Sequence, residues 1–413
     1  MIMKKIGLVG FGCVGQGLYL LLSGAGYDNA VIKRIIVKNR DKTRIAPSEI
    51  IGYDIEELLE DPEIDIIVEA IDDAEWAYEV ARKTLVSGKQ FVTANKKLVA
   101  THLEELTALA KINNSIFRYE AAVCGAIPVV QTIDNYFAYE PIYNLRGIFN
   151  GTSNYILSKI FQEKLEYKLA LKQAQDLGFA ETDPTSDVGG YDAKYKLIIL
   201  TLHSFGVYFK PDEVVNFGIE YLTADDIKFA QNKNLKIKLV PTVYQQDQKI
   251  AAFVIPEFVS STDSLFNIEQ EFNGVSVEAG FAGPQFLFGR GAGSFPTATA
   301  VLSDIQHVVD GRQYLYTKSK TPLERLDEKN IFLEIYVRYT EDAVKKIIPF
   351  ESITEGLITP QSHQLVGYVS LKDLKNIAHL LKRERVSVIA TGRRKVKAPS
   401  TKFGLVHALS EKA

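Results

Sequence analysis

The residues best equipped for chemistry lie in one acidic stretch that ends in a lysine. Glu181, Asp183, Asp187 and Asp192 supply four carboxylates, and Lys196 follows the last of them by four residues. If Asp192 opens a helix, this spacing places Asp192 and Lys196 on one face, and the helix dipole favours the carboxylate. A lysine held by a carboxylate can donate a proton to a carbonyl oxygen, while the remaining carboxylates can bind an ammonium group. The alternative is an acidic loop that caps a helix.

A second candidate lysine follows a predicted strand at 90–93. Ligands bind at the carboxyl ends of the strands in open parallel sheets. Thr93 and Lys96 are therefore placed where they can reach a ligand. The alternative is that Lys96 is an ordinary surface lysine.

The turn from Glu120 to Pro128 follows the next predicted strand. One carboxylate and several backbone carbonyl oxygens suit a hard monovalent cation, because such cations prefer oxygen ligands. A plain Gly/Pro turn explains the same residues equally well.

A glycine-rich loop connects the first predicted strand to the first predicted helix. The pattern Gly-x-Gly-x-x-Gly in this position is typical of dinucleotide binding, since it allows a tight turn and a close approach of backbone amides to a pyrophosphate. The helix N-terminus adds partial positive charge. The predicted contacts are Gly10, Gly12, Cys13, Val14 and Gly15.

The tip of the second strand is basic. NAD-binding proteins place a carboxylate there for the ribose hydroxyl, but this chain has Lys38 and Arg40, with Asp41 only after them. A guanidinium can pair bidentately with a phosphate. We therefore expect NADP to be preferred over NAD, through Arg40 first and Lys38 second. The alternative is a solvated basic turn.

Strands alternate with helices over the first part of the chain, which predicts βαβ units in a parallel sheet. The predicted strands are 4–9, 31–37, 65–70, 90–93 and 115–120, and the helices begin at 16 and cover 55–59, 74–87 and 102–112. Within 151–210, two helical stretches are predicted around a Gly/Asp/Pro-rich loop at 178–192. Later strands at 236–240, 250–255 and 275–281, with a helix at 298–309, predict an α+β domain with an open sheet. A polar linker at 316–327 precedes a last unit of strand 331–339, helix 340–348, strand 365–371, helix 371–382 and strand 386–391.

Composition sets outer limits on function. The 413 residues carry a net charge of -3, which argues against a nucleic-acid binder. Two cysteines exclude a disulfide scaffold and a four-cysteine zinc site. No signal peptide is expected, because a glycine-rich motif starts at Gly10, where the apolar region of a signal peptide should continue. No membrane span is expected, because no apolar run is long enough. We expect a cytoplasmic protein of two or three domains.

Taken together, these motifs resemble the homoserine dehydrogenase family. The family signature runs Ala-x3-Gly-apolar-small, then Asp/Asn/Ser-Pro-x2-Asp-apolar-x-Gly-x-Asp-x3-Lys. The chain fills every position, with Ala174, Gly178, Phe179, Ala180, Asp183, Pro184, Asp187, Val188, Gly190, Asp192 and Lys196. The other motifs follow in the family's order, so the resemblance covers residues 4–310.

The resemblance implies an activity and an architecture. The activity is the NAD(P)-dependent reversible reduction of L-aspartate 4-semialdehyde to L-homoserine, in threonine, methionine and isoleucine biosynthesis, by a monofunctional homodimer or higher homo-oligomer. The implied fold combines α/β and α+β classes. Its parts are a Rossmann-like domain at 1–130 plus a helix near 296–315, an α+β catalytic and dimerisation domain with an open sheet at 131–295, and an ACT-like, ferredoxin-type domain at 328–413. The last domain makes threonine a candidate effector.

The resemblance also implies roles for single residues. Catalytic roles fall on Lys196 as proton donor, Lys96 and Asp192. Substrate-binding carboxylates are Glu181, Asp187 and Asp192, and further cofactor contacts are Thr93, Lys96, Gly178 and Gly293. A structural sodium ion is implied at Glu120 and the backbone carbonyls of Val123, Gly125 and Ile127.

The chain departs from the family pattern in three places. Asp72 and Asp73 replace a common Gly-Gly pair, which puts cofactor affinity in question. Arg290 replaces a proline of a second glycine loop, residues 289–293, which precedes the helix predicted at 298–309. The segment from Tyr339 to Val344 lacks the usual Pro-Gly turn, which puts threonine feedback in question. Two other functions stay open: an oxidoreductase acting on a different amino-acid aldehyde or imine, and a catalytically weak amino-acid sensor.

Overall fold

The computed structural model describes residues 3–24, 26–358 and 362–397. The chain divides into two compact units, Met1–Arg325 and Leu326–Ala413. Residues 398–413 of the predicted last domain lie outside the described residues. Within the described ranges, no helix has both the length and the apolar character needed to cross a membrane. The cytoplasmic location stays a prediction.

A parallel sheet opens the first unit. Its strands are β1 Lys4–Val9, β2 Ala30–Ile36, β3 Ile51–Gly52, β4 Ile66–Glu69, β5 Gln90–Thr93 and β6 Phe117–Arg118. They lie in the order β3-β2-β1-β4-β5-β6, with every pairing parallel. This is the order of a doubly wound dinucleotide-binding sheet, so the predicted Rossmann-like fold is confirmed. β4 is buried along its whole length, as expected for a strand covered on both faces.

The helices of the first unit surround this sheet and a second one. They are α1 Cys13–Gly24, α2 Glu56–Leu59, α3 Ala74–Val86, α4 Lys96–Ile112, α5 Val129–Gln131, α6 Gly151–Glu163, α7 Tyr167–Asp176, α8 Thr185–Val188, α9 Tyr191–Phe205, α10 Ala224–Asn232 and α11 Ser294–Val309. α11 contacts α1, and its Val301 joins Leu8 and Leu18 in one buried core cluster. α11 ends at Val309, which matches the end of the helix predicted at 298–309 but falls short of residue 315, because Gly311 adopts a φ of +68° and ends the helix.

α4 begins at Lys96 and not at residue 102, as the sequence pattern suggested. Asn95 caps it, with its side-chain oxygen accepting a hydrogen bond from a backbone amide. His102 has non-helical angles (φ -122°, ψ 17°) and kinks the helix. The hydroxyl of Tyr208 donates to two carbonyl oxygens just before the kink. The start of the helix carries Lys96 to the carboxyl edge of the parallel sheet.

The second sheet of the first unit is mostly antiparallel. Its strands are β7 Ile142–Ile148, β8 Val215–Asn216, β9 Leu235–Gln246, β10 Lys249–Ser260, β11 Phe272–Ala279, β12 Gly283–Arg290 and β13 Glu324–Arg325. The path runs β12-β11-β7-β9-β10, and β8 and β13 pair with β10 in parallel. The α+β class is confirmed, but the pattern missed β7, whose apolar residues alternate weakly, and β12, which opens with a turn-like Gly-Pro pair.

Within the described residues, the second unit contains four strands and two α-helices. Its elements are β14 Ile331–Tyr339, α12 Asp342–Ile347, β15 Ser352–Ile358, β16 His363–Ser370, α13 Leu371–Arg383 and β17 Ser387–Val396. The strand order is β17-β14-β16-β15, with all pairings antiparallel. The order strand–helix–strand–strand–helix–strand is that of a ferredoxin-like unit. The pattern missed β15, and the ACT assignment stays a prediction.

Candidate active site

Asp192 lies at the centre of a buried cluster in the first turn of α9. Its Oδ2 accepts a hydrogen bond from Lys196 Nζ at 2.7 Å, and its Oδ1 lies 2.6 Å from Lys96 Nζ. Lys196 Nζ also donates to the carbonyl oxygen of Phe149 at 2.7 Å. The predicted spacing of four residues does place Asp192 and Lys196 together on one helix. The structure therefore brings together all three residues expected to be catalytic.

The electrostatics of the cluster are dominated by two ammonium groups that share one carboxylate. Burial alone would raise the pKa of Asp192, but the charges of Lys196 and Lys96 outweigh burial and hold the pKa well below its usual range. The same carboxylate raises the pKa of Lys96. Asp192 is 1% exposed and Lys196 8%, so this pair interacts with little screening by water, whereas the Lys96 side chain is 41% exposed and its pairing with Asp192 is screened more strongly. The arrangement keeps a carboxylate ionised and Lys96 protonated.

Asp187 joins the cluster through a residue that the sequence pattern did not single out. Asn150 Nδ2 donates to Asp187 Oδ1 at 2.7 Å and to Asp192 Oδ2 at 2.9 Å. Burial raises the pKa of Asp187, and the charge of Asp192 raises it further. The available signal was a helix-capping Asn two residues after the end of a strand, but the sequence pattern did not predict that strand, β7. Two of the three carboxylates predicted to bind the substrate, Asp187 and Asp192, therefore lie close to each other.

Glu181 and Gly178 lie on the loop that follows α7, away from these contacts. The exposed side chain of Glu181 makes no hydrogen bond or ion pair with any residue of the described ranges. Its carbonyl oxygen accepts a hydrogen bond from Gln175 Nε2 at 3.0 Å. Gly178 is exposed with a φ of +76°. The loop is tied to α6 where Thr152 Oγ1 donates to the carbonyl oxygen of Phe179 at 2.6 Å.

The glycine-rich loop has the geometry of a phosphate cradle. Gly10 has a φ of +95°, and a Cβ there would overlap the carbonyl oxygen of Ala70. A Cβ on Gly12 would meet open space, which leaves room for a ligand against the backbone. The loop leads into α1, where Cys13 is exposed, Val14 is partly buried and Gly15 is buried. These residues fit the pyrophosphate of a dinucleotide at a helix N-terminus.

Basic side chains follow β2 at the edge of this cradle. Lys38 and Arg40 are exposed, and the guanidinium of Arg40 lies 4.5 Å from the ring centre of Tyr53. Arg44, which the sequence interpretation did not use, turns back and donates to the carbonyl oxygen of Lys42 at 2.6 Å. A ring that supports Arg40 through a cation–π contact restricts where its charge can lie.

The ends of β4 and β5 are joined by a buried carboxylate. Glu69 is fully buried, and it accepts hydrogen bonds from the hydroxyl of Thr93 and from Ile71 N. Burial raises the pKa of Glu69 to about 7. Asn95 N donates to Thr93 Oγ1 at 2.9 Å, so the same network leads to the cap of α4 and to Lys96. Thr93, which the sequence placed near a ligand, is itself fully buried. The sequence analysis did not single out Glu69, its partner in this network.

Asp72 and Asp73 have different environments at the next turn. Asp73 caps α3, with Oδ1 accepting hydrogen bonds from the backbone amides of Glu75 and Trp76 at 3.2 and 3.1 Å. Asp72 is exposed and adds to the charges that raise the pKa of Lys96. The departure from Gly-Gly therefore supplies a helix cap at its second position.

Glu120 lies in a buried turn after β6. Its Oε1 and Oε2 accept hydrogen bonds from the backbone amides of Val130 and Gln131 at 3.0 and 2.8 Å. Burial, together with the charge of Asp304, raises the pKa of Glu120 to about 8. An ionised carboxylate in this place would be favoured by a nearby cation.

The rest of this turn packs under the second glycine loop. Val123, Gly125 and Ile127 follow Glu120 within the turn, and Gly125 has a φ of +55°. The carbonyl oxygen of Ile127 accepts a hydrogen bond from Val129 N at 2.7 Å and keeps a second lone pair. The donors present, a carboxylate and backbone carbonyls, fit a hard cation in chemical type.

The second glycine loop meets the first one. Gly293 precedes α11, and Ser294 Oγ donates to the carbonyl oxygen of Cys13 at 2.7 Å. Arg290, which stands in place of the family's proline, is exposed and pairs with Glu271 at 3.1 Å. The loop therefore lies beside the dinucleotide cradle. The Arg290 side chain is paired with Glu271, the residue just before β11.

Comparisons with known proteins agree on one family. A model described as homoserine dehydrogenase, NAD binding domain, matches residues 10–120, and a homoserine dehydrogenase model matches residues 128–306. The homoserine dehydrogenase of Helicobacter pylori is 38% identical over 417 residues, covering 92% of this chain and 98% of that protein. A crystal structure of a homoserine dehydrogenase from Thiobacillus denitrificans has a TM-score of 0.81 at 29% identity, covering 94% of this chain and 98% of that one. A hyperthermophilic archaeal homoserine dehydrogenase in complex with NADPH has a TM-score of 0.66 at 26% identity, covering 76% and 100%.

Proposed function

The chain belongs to the homoserine dehydrogenase family, and we propose that the cluster around Asp192 is where L-aspartate 4-semialdehyde and L-homoserine are interconverted. The observation that carries this proposal is the pair of ammonium groups of Lys96 and Lys196 on one buried carboxylate. They lie between the carboxyl edge of the parallel sheet and the first turn of α9.

The chemistry follows from what these groups can do. When bound, the nicotinamide cofactor supplies or accepts the hydride. During reduction, negative charge develops on the carbonyl oxygen of the substrate, and Lys196 donates a proton to it. Asp192 and the carbonyl oxygen of Phe149 aim the Lys196 ammonium. Lys96 adds a second positive charge that stabilises the same oxygen.

The amino-acid end of the substrate needs carboxylates for its ammonium group. We assign Asp187 to this role, supported by its position beside Asp192. Glu181 is the second carboxylate, supported by an exposed side chain that makes no ion pair within the described part of the chain. A charge-assisted hydrogen bond to an ammonium is stronger than a neutral one.

The cofactor is NADP in preference to NAD. Gly10, Gly12 and Gly15 form the pyrophosphate cradle, and Gly178 and Gly293 are the further glycines that we assign to cofactor contacts. Arg40 and Lys38 bind the 2′-phosphate, which is supported by two exposed cations and no carboxylate at the tip of β2. The similar archaeal homoserine dehydrogenase forms a complex with NADPH.

A sodium ion is proposed at the buried turn after β6. Glu120 and the carbonyl oxygens of Val123, Gly125 and Ile127 would hold it and so connect β6 to the second glycine loop. The support is the oxygen-rich turn and the buried Glu120 carboxylate. Melting temperatures in sodium and in choline chloride test this, with Glu120→Gln expected to abolish any difference between the salts.

We propose three functional domains: cofactor binding at 1–130 with α11, catalysis and dimerisation at 131–295, and an ACT-like domain at 328–413. The dimer is supported by an edge strand that exposes aromatic side chains, since such surfaces mark association sites. On β12, Phe286 and Phe288 are 39% and 54% exposed, and Phe281, in the turn before β12, is 84% exposed. The ferredoxin-like strand order of the second unit supports an ACT-like domain and threonine as its effector.

One experiment tests activity, cofactor choice and regulation together. The oxidation of NADPH and of NADH is followed with L-aspartate 4-semialdehyde, each with and without threonine. We expect turnover with both cofactors, a lower KM for NADPH and inhibition by threonine. If neither NADPH nor NADH is oxidised, the proposed site is contradicted.

A further inference from the structure

Asn150 makes contacts in the active site to which the mechanism gives no role. It ends the segment that follows β7, and its side chain is 5% exposed. One nitrogen, Nδ2, donates to Asp187 Oδ1 at 2.7 Å and to Asp192 Oδ2 at 2.9 Å. A single amide group therefore bridges the substrate carboxylate and the carboxylate that holds Lys196.

The orientation of this amide is fixed by the helix that Asn150 caps. Asn150 Oδ1 accepts a hydrogen bond from Ser153 N at 2.7 Å, in the first turn of α6. A backbone N–H requires an acceptor, so the oxygen must face the helix and the NH2 group must face the carboxylates. The start of α6 thus sets the direction of both donated hydrogen bonds.

A neutral donor suits this place better than a cation. Asp187 and Asp192 repel each other, and the hydrogen bond from Asn150 opposes the rise in the pKa of Asp187 that burial and Asp192 cause. A lysine or arginine there would also keep both groups ionised, but its charge would repel the ammonium group of the substrate. An amide donates to both carboxylates and leaves their negative charge available.

We propose that Asn150 is a positioning residue for the reaction. It sets the separation of the Asp187 and Asp192 carboxylates and favours their ionised forms. As a result, Asp187 meets the ammonium group of the substrate while Asp192 stays aligned with Lys196. This inference rests on the proposed function and extends it to a residue outside the family signature.

Two substitutions separate this role from helix capping. Asn150→Ser keeps a good N-cap, but its hydroxyl is too short to bridge two carboxylates. Asn150→Asp keeps the cap and the shape, and replaces the donor with a third carboxylate. We expect Asn150→Ser to lower kcat/KM for L-homoserine about 10- to 100-fold, the worth of a hydrogen bond to a charged group. Asn150→Asp should lose more.

The distribution of the loss is the decisive measurement. For Asn150→Ser we expect a raised KM for L-homoserine, an unchanged KM for the cofactor, and an acid limb of the kcat/KM profile shifted to higher pH. The melting temperature should stay close to that of the parent. Thr223→Ala, which removes part of a capping box at α10, is the control for cap loss, and it should lower the melting temperature without changing these kinetics.

Each remaining outcome has a definite meaning. If the parent is active and Asn150→Ser has the same kcat/KM and the same pH profile as the parent, the positioning role alone would be overturned. Asn150→Ser could instead lose kcat/KM equally for L-homoserine and for the cofactor, with a fall in melting temperature like that of Thr223→Ala. That result would show that Asn150 acts only as a helix cap, and it would also overturn the positioning role. A parent that does not oxidise L-homoserine would overturn the proposed function and this inference together.

Discussion

The Lys96 ammonium lies 2.6 Å from Asp192 Oδ1, which joins the first residue of α4 to the first turn of α9. Lys97, its neighbour in the chain, is exposed. We expect Lys96→Ala to lower kcat/KM about 10²–10³-fold, as for the loss of one preorganised donor to developing charge. Lys97→Ala is the matched control and should behave like the parent in steady-state assays. Equal effects of the two substitutions would mean that the ion pair has no part in the reaction.

Lys196→Ala should remove the proton donor. We expect kcat to fall about 10²–10⁴-fold in both directions, the usual contribution of general acid–base catalysis. Cofactor binding, measured by fluorescence titration of NADPH, should not change because Lys196 contacts Asp192 and Phe149. Near-normal turnover in the variant would rule out Lys196 as the donor.

Much of this fold can be predicted from patterns of residues that are close together in the sequence. The alternation of short apolar strands with helices predicted the parallel sheet, and β1 and β5 match their predicted bounds. The spacing of Asp192 and Lys196 predicted a contact within one helix, which needs no knowledge of the rest of the chain. Local signals of this kind depend only on helix and strand geometry.

The contacts that sequence reasoning missed are long-range. Asn150 meets Asp192 across 42 residues, and this depends on where β7 ends against α9. Glu69 and Thr93 pair because β4 and β5 are neighbours in the sheet. Neither pairing has a signature in the spacing of residues along the chain. The start of α4, by contrast, had a local signal in Asn95 that was overlooked.

Arg40→Asp should change the choice of cofactor. Loss of the guanidinium and gain of a carboxylate remove a partner for the 2′-phosphate and supply one for a ribose hydroxyl. We expect the KM for NADPH to rise at least about tenfold, equal to one hydrogen bond to a charged group, with little change for NADH. Arg82→Asp, on α3, is the charge-matched control. An equal loss with both cofactors would contradict the phosphate role.

Glu69 should make stability depend on pH. Its ordinary pKa is 4.5 and burial raises it to about 7, so the folded protein holds a proton over this interval that the unfolded chain has released. The stabilising contribution is complete below pH 4.5 and is lost as the pH rises to about 7, at up to about 1.4 kcal/mol per pH unit. Glu69→Gln keeps an acceptor for Ile71 N and cannot ionise. The melting temperature of the parent should therefore fall relative to that of Glu69→Gln between pH 5 and pH 7.5.

The control is Glu75→Gln, since Glu75 is an exposed glutamate on α3. Its melting temperature should follow that of the parent at both pH values. A difference between parent and Glu69→Gln that does not vary with pH would show that Glu69 is ionised in the folded protein throughout this range.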